Sequence, residues 1–585
     1  MELRFSPKSR ARSIAMITVV LMAIFVVKLF YIQVIQHDKY VQQADAEQVK
    51  QFTLHASRGE IYAMDGSAPV PLVMNEKVYT IWADPTQVKD KNAVVSALNK
   101  VAGGNVRDDF AKYLDVKNSR YQVLATKVSL KQAEMLKKLN LAGIGFDAVS
   151  QRVYPEGQLA SQVLGFVDAN GKGQYGFEQA NDNELRGQDG LLKTVTDIRD
   201  VPLTVSDKNI RKPAVNGKNM VLTIDRNIQA EAEQALADGV KKSGADHASV
   251  IVMDPMTGKV LAMANVPTYN PAELNKVTNV SAFNNNTISN PYEPGSDIKT
   301  LTVSTGIDKG VITPDTIWHN TGQIQVADIT INNATKIPSI TGDVTMQTAL
   351  NWSLNTGMVT IAELLGDGSN ITSASRNTIY DYFHNHFRLG QNTGIELANE
   401  QPGIIIAPTS PDGGAVRYSN MVFGQGMDVT MLQVISAFSA AIDGGVYHEP
   451  SIVDGTMSDD GSTFTPAKPR ASYSNVVKPS TSATVREMVH QAHYATYNPH
   501  DGSDKYFIGG KTGTSQTIVD GKYSNTQTVG TYLGFGGSTS STPRYAIMVE
   551  ISADGKEMDG GTNAKPIFNT ISNWLINYLG LTPQG

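Results

Sequence analysis

Glu293-Pro294-Gly295-Ser296-Asp297-Ile298-Lys299 is the stretch from which the rest of this chain can be read. Pro294-Gly295 ends a turn, and Ser296 to Asp308 sets Ile298, Leu301, Thr305 and Ile307 ahead of Gly310, a pattern that reads as a helix starting at or near the serine. Residues three apart share a helix face, so Lys299 lies one turn from the Ser296 hydroxyl. A serine alone is a poor nucleophile and needs a base within hydrogen-bond reach. A lysine serves if burial and neighbouring cations bring its pKa down from ~10.4. The helix N-terminus also favours negative charge developing at the serine. Taken alone, the same residues read more readily as an N-cap serine followed by a surface lysine.

Two later motifs change that balance. Ser353-Leu354-Asn355 follows after roughly 55 residues, and Lys511-Thr512-Gly513-Thr514 after about 155 more. Ser353 and Asn355 alternate, so both polar side chains face one way, where they can relay a proton to a leaving amine and bind a substrate amide. Phe507-Ile508-Gly509-Gly510 precedes Lys511, which places the third motif on a strand. There Lys511 offers a cation for a carboxylate, Thr512 adds a hydroxyl, and Gly513 leaves the backbone open for a peptide to pair along it. In this order the motifs spell S-x-x-K, S-x-N and K-T-G, the pattern of serine enzymes that form acyl-enzymes with D-Ala-D-Ala peptides and β-lactams. The backbone amides of Ser296 and Thr514 would then form an oxyanion hole, each donor worth ~3 kcal/mol at the transition state.

The resemblance reaches beyond the triplet. Tyr292-Glu293-Pro294-Gly295-Ser296 resembles the lead-in to the nucleophile of class B penicillin-binding proteins, and Phe423-Gly424-Gln425-Gly426-Met427-Asp428-Val429-Thr430 resembles their later glycine motif. Arg58-Gly59, Arg152 to Pro155 and Gly176-Phe177-Glu178 look like the boxes of their N-terminal pedestal. The resemblance implies a peptidoglycan-cross-linking D,D-transpeptidase with catalytic Ser296, Lys299, Ser353, Asn355 and Lys511, and with Thr512, Gly513 and Thr514 contacting substrate. The implied partners are peptidoglycan stem peptides, β-lactams, a membrane glycan polymerase of the shape or division type and other division proteins. Ile81-Trp82-Ala83-Asp84-Pro85 resembles a segment of septal FtsI-type members and points to cell division. An elongation-type enzyme and a division scaffold with a weakened site are the alternatives. Ala63 and Met64 stand where the family's first box carries an acidic and a basic residue, and Asp297 stands where it carries a small or apolar one. The bland role of Asp297 is to complement the helix dipole; altered local potential and weaker binding of anionic β-lactams is the other.

Composition agrees. The 585 residues exceed one compact core, and a formal net charge of −6 argues against nucleic acid as a partner. The chain has no cysteine, and His384 and His386 have no ligand cluster about them, so neither a metal nor a cofactor is expected. Arg4, Lys8, Arg10 and Arg12 precede an apolar run from Ile14 to Val27 that resumes after Lys28 through Ile35. About 22 residues at ~1.5 Å each span a bilayer core of ~30 Å. No small-x-small site follows the run, so it reads as an uncleaved anchor in the cell membrane rather than a cleaved signal peptide, and the basic residues ahead of it keep the N-terminus cytoplasmic and the catalytic part outside.

The expected class is α+β: a cytoplasmic tail (1–12), a transmembrane helix (13–35), an elongated α/β pedestal of the non-catalytic dimerisation type (36–215) and a transpeptidase domain (216–585). The last should hold a five-stranded antiparallel sheet flanked by helices, with an all-helical subdomain. Asn227 to Ala237 and Pro566 to Leu579 read as helices; Ala248 to Met253, Lys259 to Ala264 and Arg544 to Ser552 read as strands. Asp520-Gly521 marks a hairpin tip, and Asp454 to Ser474 reads as a surface loop.

Overall fold

The computed structural model describes residues 7–41, 49–116, 118–195, 210–334, 340–495, 505–519, 522–539 and 542–583. The chain divides into two compact units, Met1–Ser57 with Gly187–Gly217, and Arg58–Arg186 with Lys218–Gly585. In the first, the helix Pro7–Phe30 runs on through a wider turn, Tyr31–Ile35. Its Ala11–Ile35 stretch of 25 residues is long and apolar enough to cross a membrane and is unburied by protein. The same unit holds a three-stranded antiparallel sheet, in which Gly190–Val195 pairs with Val49–Leu54 on one side and Ile210–Lys212 on the other.

In the second unit the sheet that matters most for chemistry has five antiparallel strands: β1 (His247–Met253), β2 (Val260–Val266), β3 (Phe507–Val519), β4 (Lys522–Gly537) and β5 (Tyr545–Ser552). Their order is β2-β1-β5-β4-β3, so the first strands of the region and the last close one sheet, and β3 lies at its edge. The β3–β4 tip at Asp520-Gly521 lies outside the described residues. Strand side chains alternate between faces, and each face has its own core. Val250, Val252, Ile547, Val549 and Ile551 pack against Ile228, Ala232 and Leu236 of the helix Arg226–Ser243 and Phe568, Ile571 and Leu575 of the helix Lys565–Tyr578. Ile251, Met253, Leu533 and Met548 face Ile298, Leu301 and Val303. The helix Lys299–Asp308 is buried almost all round, as befits an element at the centre of a domain.

Two features depart from the sequence pattern. The stretch read as a loop from Asp454 to Ser474 contributes strands Val453–Met457, Phe464–Pro466 and Ser472–Ser474. Its polar composition marks only the turn, where Ser458, Asp460 and Ser462 hydrogen-bond one another, while Met457 packs with Tyr62 and Val221. The first two continue a second, seven-stranded sheet in which Asn219–Asp225 pairs antiparallel with Val453–Met457 and parallel with Ile61–Asp65, while Ser472–Ser474 pairs with Val446–His448 in a ribbon of its own. The helical insertion after the nucleophile also carries two short ribbons, Ile317–Asn320 with Gly342–Thr345 and Gln323–Val326 with Ile329–Asn332.

One cluster of buried charge away from the five-stranded sheet surrounds Glu178, whose side chain is wholly buried. It accepts from Arg58 Nε at 2.7 Å and Arg152 Nε at 2.8 Å, while Arg58 also reaches Asp182 at 2.7 Å. Arg152 closes on the Gly59 carbonyl at 2.7 Å and Asn75 at 2.9 Å. Ion pairing therefore runs through these residues rather than through Ala63 and Met64.

Candidate active site

Ser296 sits in a single 3₁₀ turn, Gly295–Ile298, that feeds directly into the helix Lys299–Asp308. The turn is wedged between two segments. The Gly295 N–H donates to the Gly424 carbonyl at 2.9 Å, and a Cβ on Gly295 would lie 3.1 Å from the Thr514 carbonyl oxygen. Gly295 has φ +62°, which a side chain would strain, so the glycine before the serine is set by both conformation and space. Ser296 itself is half-buried, at the surface of this wedge.

Lys299 is fully buried, and its ammonium group is held from one side. It donates to the Ser353 carbonyl at 2.7 Å, the Ser353 hydroxyl at 3.0 Å and Asn355 Oδ1 at 2.7 Å; none of these bonds goes to the Ser296 hydroxyl. Catalytic hydrogen bonds commonly form only once substrate is bound. Burial, and then the charge of Lys511, hold the Lys299 amine well below the ordinary lysine range.

The local fold explains how Ser353 offers two oxygens. The helix Met346–Asn351 ends in a Schellman turn: the Leu354 N–H donates to Ala349 O at 2.9 Å and the Ser353 N–H to Leu350 O at 3.2 Å. Its left-handed position, usually glycine, is Ser353 with φ 55°. The strain of a non-glycine residue there turns the carbonyl toward Lys299 while keeping the hydroxyl. Asn355 opens the next helix, Asn355–Leu364, and its amide donates to the Asn332 carbonyl at 2.9 Å, which leaves Oδ1 to accept from the lysine. Thr356 fixes that helix start through Asn333 and Asn320. Sequence reading missed Asn320, Asn332 and Asn333, because their part depends on the ribbons described above.

Lys511 lies on edge strand β3 and is buried; it donates to the Thr512 carbonyl at 2.8 Å and, at 3.4 Å, to the Thr512 hydroxyl. Burial brings its pKa down to about 8, with the charge of Asp297 opposing the shift. Gly513 is required by space: a Cβ there would lie 2.1 Å from Thr531 Oγ1 and 3.0 Å from Asp297 Oδ2. Thr514 is exposed, its hydroxyl donating to Gly513 O at 2.8 Å and accepting from the Gly560 N–H at 3.3 Å. Thus Lys299, Ser353 and Asn355 form one bonded cluster, Lys511 and Thr512 a second, and Gly295 joins the Ser296 turn to Thr514.

The comparisons with known proteins agree on both halves of the chain. Residues 248–573 match the penicillin binding protein transpeptidase domain, and residues 53–222 match the penicillin-binding protein dimerisation domain. Penicillin-binding protein PbpB of Mycobacterium tuberculosis is 31% identical over 74% of this chain, which spans 63% of that relative's length. Peptidoglycan D,D-transpeptidase FtsI of Escherichia coli is 27% identical over 95% of this chain and 90% of its own. Among solved structures, a peptidoglycan synthetase from Bifidobacterium adolescentis superposes with a TM-score of 0.70 at 25% identity, covering 92% of this chain and 98% of the other. Penicillin binding protein 2X of Streptococcus thermophilus, at 23% identity, shares the fold with a TM-score of 0.73 over 91% of this chain and 80% of its own.

Proposed function

The chain belongs to the penicillin-binding protein transpeptidase family, among its class B members, and from that membership we propose that it is a serine D,D-transpeptidase that cross-links peptidoglycan stem peptides. The observation that carries this reading is the buried Lys299 amine, one turn after Ser296 and bonded to both Ser353 and Asn355. A lysine whose pKa burial lowers gives up its own proton, and so becomes a base, at lower pH than an exposed one.

In the proposed reaction Ser296 Oγ attacks the carbonyl of the penultimate D-Ala as its proton passes to Lys299. The D-Ala–D-Ala amide bond breaks, the proton reaches the leaving amine through Ser353, and D-Ala departs. The amine of a second stem peptide then attacks the ester, restoring Ser296 and completing the cross-link. The amides of Ser296 and Thr514 hold the oxyanion, worth ~3 kcal/mol per donor. Lys511 and Thr512 meet the terminal carboxylate, and the open edge of β3 at Gly513 admits the peptide backbone. A β-lactam would acylate the same serine. The 25-residue apolar helix supports a membrane anchor, and we place its N-terminus in the cytoplasm from the basic residues before it. The resemblance of Ile81–Pro85 to septal members favours a role in division beside a membrane glycan polymerase.

Labelling the purified protein with a fluorescent penicillin tests the enzyme reading. Intact mass should show a single adduct, absent in Ser296→Ala; an adduct that survives the substitution places the nucleophile elsewhere.

A further inference from the structure

Directly opposite residues on neighbouring strands project to the same face of a sheet. On the face that meets the nucleophile helix, one such row is polar from edge to edge: Asn265 pairs with Ser249, Ser249 with Glu550, Glu550 with Thr531, and Thr531 with Gly513. All four side chains are buried. Half of the row is bonded, Ser249 to Asn265 at 3.0 Å and Asn265 to Asn285 at 3.1 Å. At the other end, neither oxygen of the buried Asp297 carboxyl, nor the Thr531 hydroxyl, completes a hydrogen bond.

Where Asp297 lies explains why it is there. Its Oδ2 would be 3.0 Å from a Cβ on Gly513, so the carboxyl occupies the space the glycine leaves free. Lys511 and Gly513 are two apart on β3 and share a face, so the carboxyl stands on the lysine's own side of the strand. Lys511 bonds only to Thr512, and among the described residues no carboxylate comes within ion-pair distance of it. A buried ammonium without an anion nearby sheds its proton rather than remain charged. We infer that Asp297 is a positioning residue for Lys511: seated in the Gly513 gap, its carboxylate keeps the buried lysine charged and so able to meet a substrate carboxylate. This rests on the transpeptidase reading above and deepens it. The charged and titratable groups around the pair are Lys299 from the nucleophile helix, Glu550 from β5 and Tyr292 from the segment before the serine. Burial pushes Asp297 up to about 7 and leaves Lys511 at about 8, the Asp297 charge raising the lysine, so the two coexist as ions across a window near and above neutrality.

The test compares two acylating β-lactams that differ only in a free or an esterified carboxylate, on the full-length protein in detergent. The ratio of their second-order acylation constants is followed from about pH 6 to pH 9.5, and its alkaline limb reports Lys511 in the free enzyme. In the wild type the carboxylate advantage should fall as pH rises through about 8. Asp297→Asn should move that limb toward acid by about one unit, a roughly tenfold loss of advantage on the limb, with the neutral probe changed less than about twofold. Asp297→Ser guards against a fold or packing effect of the amide and should move the limb equally. Glu550→Gln, one strand farther away, should move it less. Lys511→Arg, which cannot lose its charge, should remove the limb with or without Asp297. A limb that stays put in both Asp297 variants, or rates for both probes that fall together, overturns the inference while leaving the enzyme reading intact. No acylation of the wild type by either probe overturns both.

Discussion

Two of the groups of buried charges in the second unit are built in opposite ways. Around Glu178 every ion has a partner of opposite sign: two arginines on one carboxylate, with Asp182, Asn75 and backbone carbonyls taking most of the remaining donors. Around Ser296 the ions are buried but not matched. Lys299 bonds only to neutral oxygens and Lys511 only to Thr512, and among the described residues no cation comes within ion-pair distance of the Asp297 carboxyl. A closed ion network fixes geometry, whereas burial without a bonded counter-ion shifts a group's protonation equilibrium. The comparison separates charge that holds the fold from charge that is available to react.

The sharpest way to break this contrast is to remove one ion from each group. Lys299→Ala should slow acylation by ~10²–10⁴-fold, the usual worth of general-base work, while leaving the melting temperature close to that of the wild type. Glu178→Ala should do the reverse. Deleting this carboxylate strands Arg152 and leaves Arg58 only Asp182, and should cost about 3–5 kcal/mol of stability, with the acylation rate of the folded fraction unchanged. Denaturant titration beside penicillin labelling reads both, and a catalytic defect in folded Glu178→Ala would erase the distinction. A milder probe is pH. Because Lys299 must be neutral to accept a proton and burial holds its pKa well below the usual value, acylation by a neutral probe should rise with pH and level off well before the ordinary lysine range is reached. A flat profile would remove Lys299 as the base.

The smallest expected effect concerns stability. Glu550 is raised by burial from its ordinary value to about 7, so between pH ~4.5 and ~7 the folded state binds more protons than the unfolded one. Stability contributed by the neutral acid is therefore present below the unfolded pKa and lost as pH rises toward the folded one. Glu550→Gln should flatten that part of the curve. An unchanged slope would mean that Glu550 is ionised in the folded protein throughout.

Much of the site was legible because its parts are local. Ser296 and Lys299 are one turn apart, Ser353 and Asn355 flank one residue, and Lys511 to Gly513 form a single strand segment. The helices at Asn227 and Pro566 announced themselves through apolar spacing, and the strands of the five-stranded sheet through short apolar runs. What could not be read is what non-local pairing creates. Asp297 and Thr531 lie more than two hundred residues apart; strand register sets Thr531 beside Gly513 and Glu550, and the packing of the nucleophile turn brings Asp297 to the Gly513 gap. Asn332 acquires its part from a two-stranded ribbon, and the strand Val453–Met457 is hidden in a polar stretch because pairing partners rather than composition make it a strand. Asp297 was visible as an oddity, but its neighbour Gly513 was read only for its openness to a peptide.

The seven-stranded sheet has a practical consequence for anyone cutting this chain. Asn219–Asp225 is buried along its whole length, with Ile61–Asp65 on one flank and Val453–Met457 on the other. A fragment begun near residue 216 to isolate the catalytic half would keep that strand and strip one flank, exposing a row of unpaired amides and carbonyls beside apolar side chains. Bare edges of this kind recruit other chains. Soluble expression of such a fragment should therefore require the Arg58–Arg186 segment, supplied in the same chain or in trans, and the shortest well-behaved version of this protein should begin before the first pedestal strand rather than after the last.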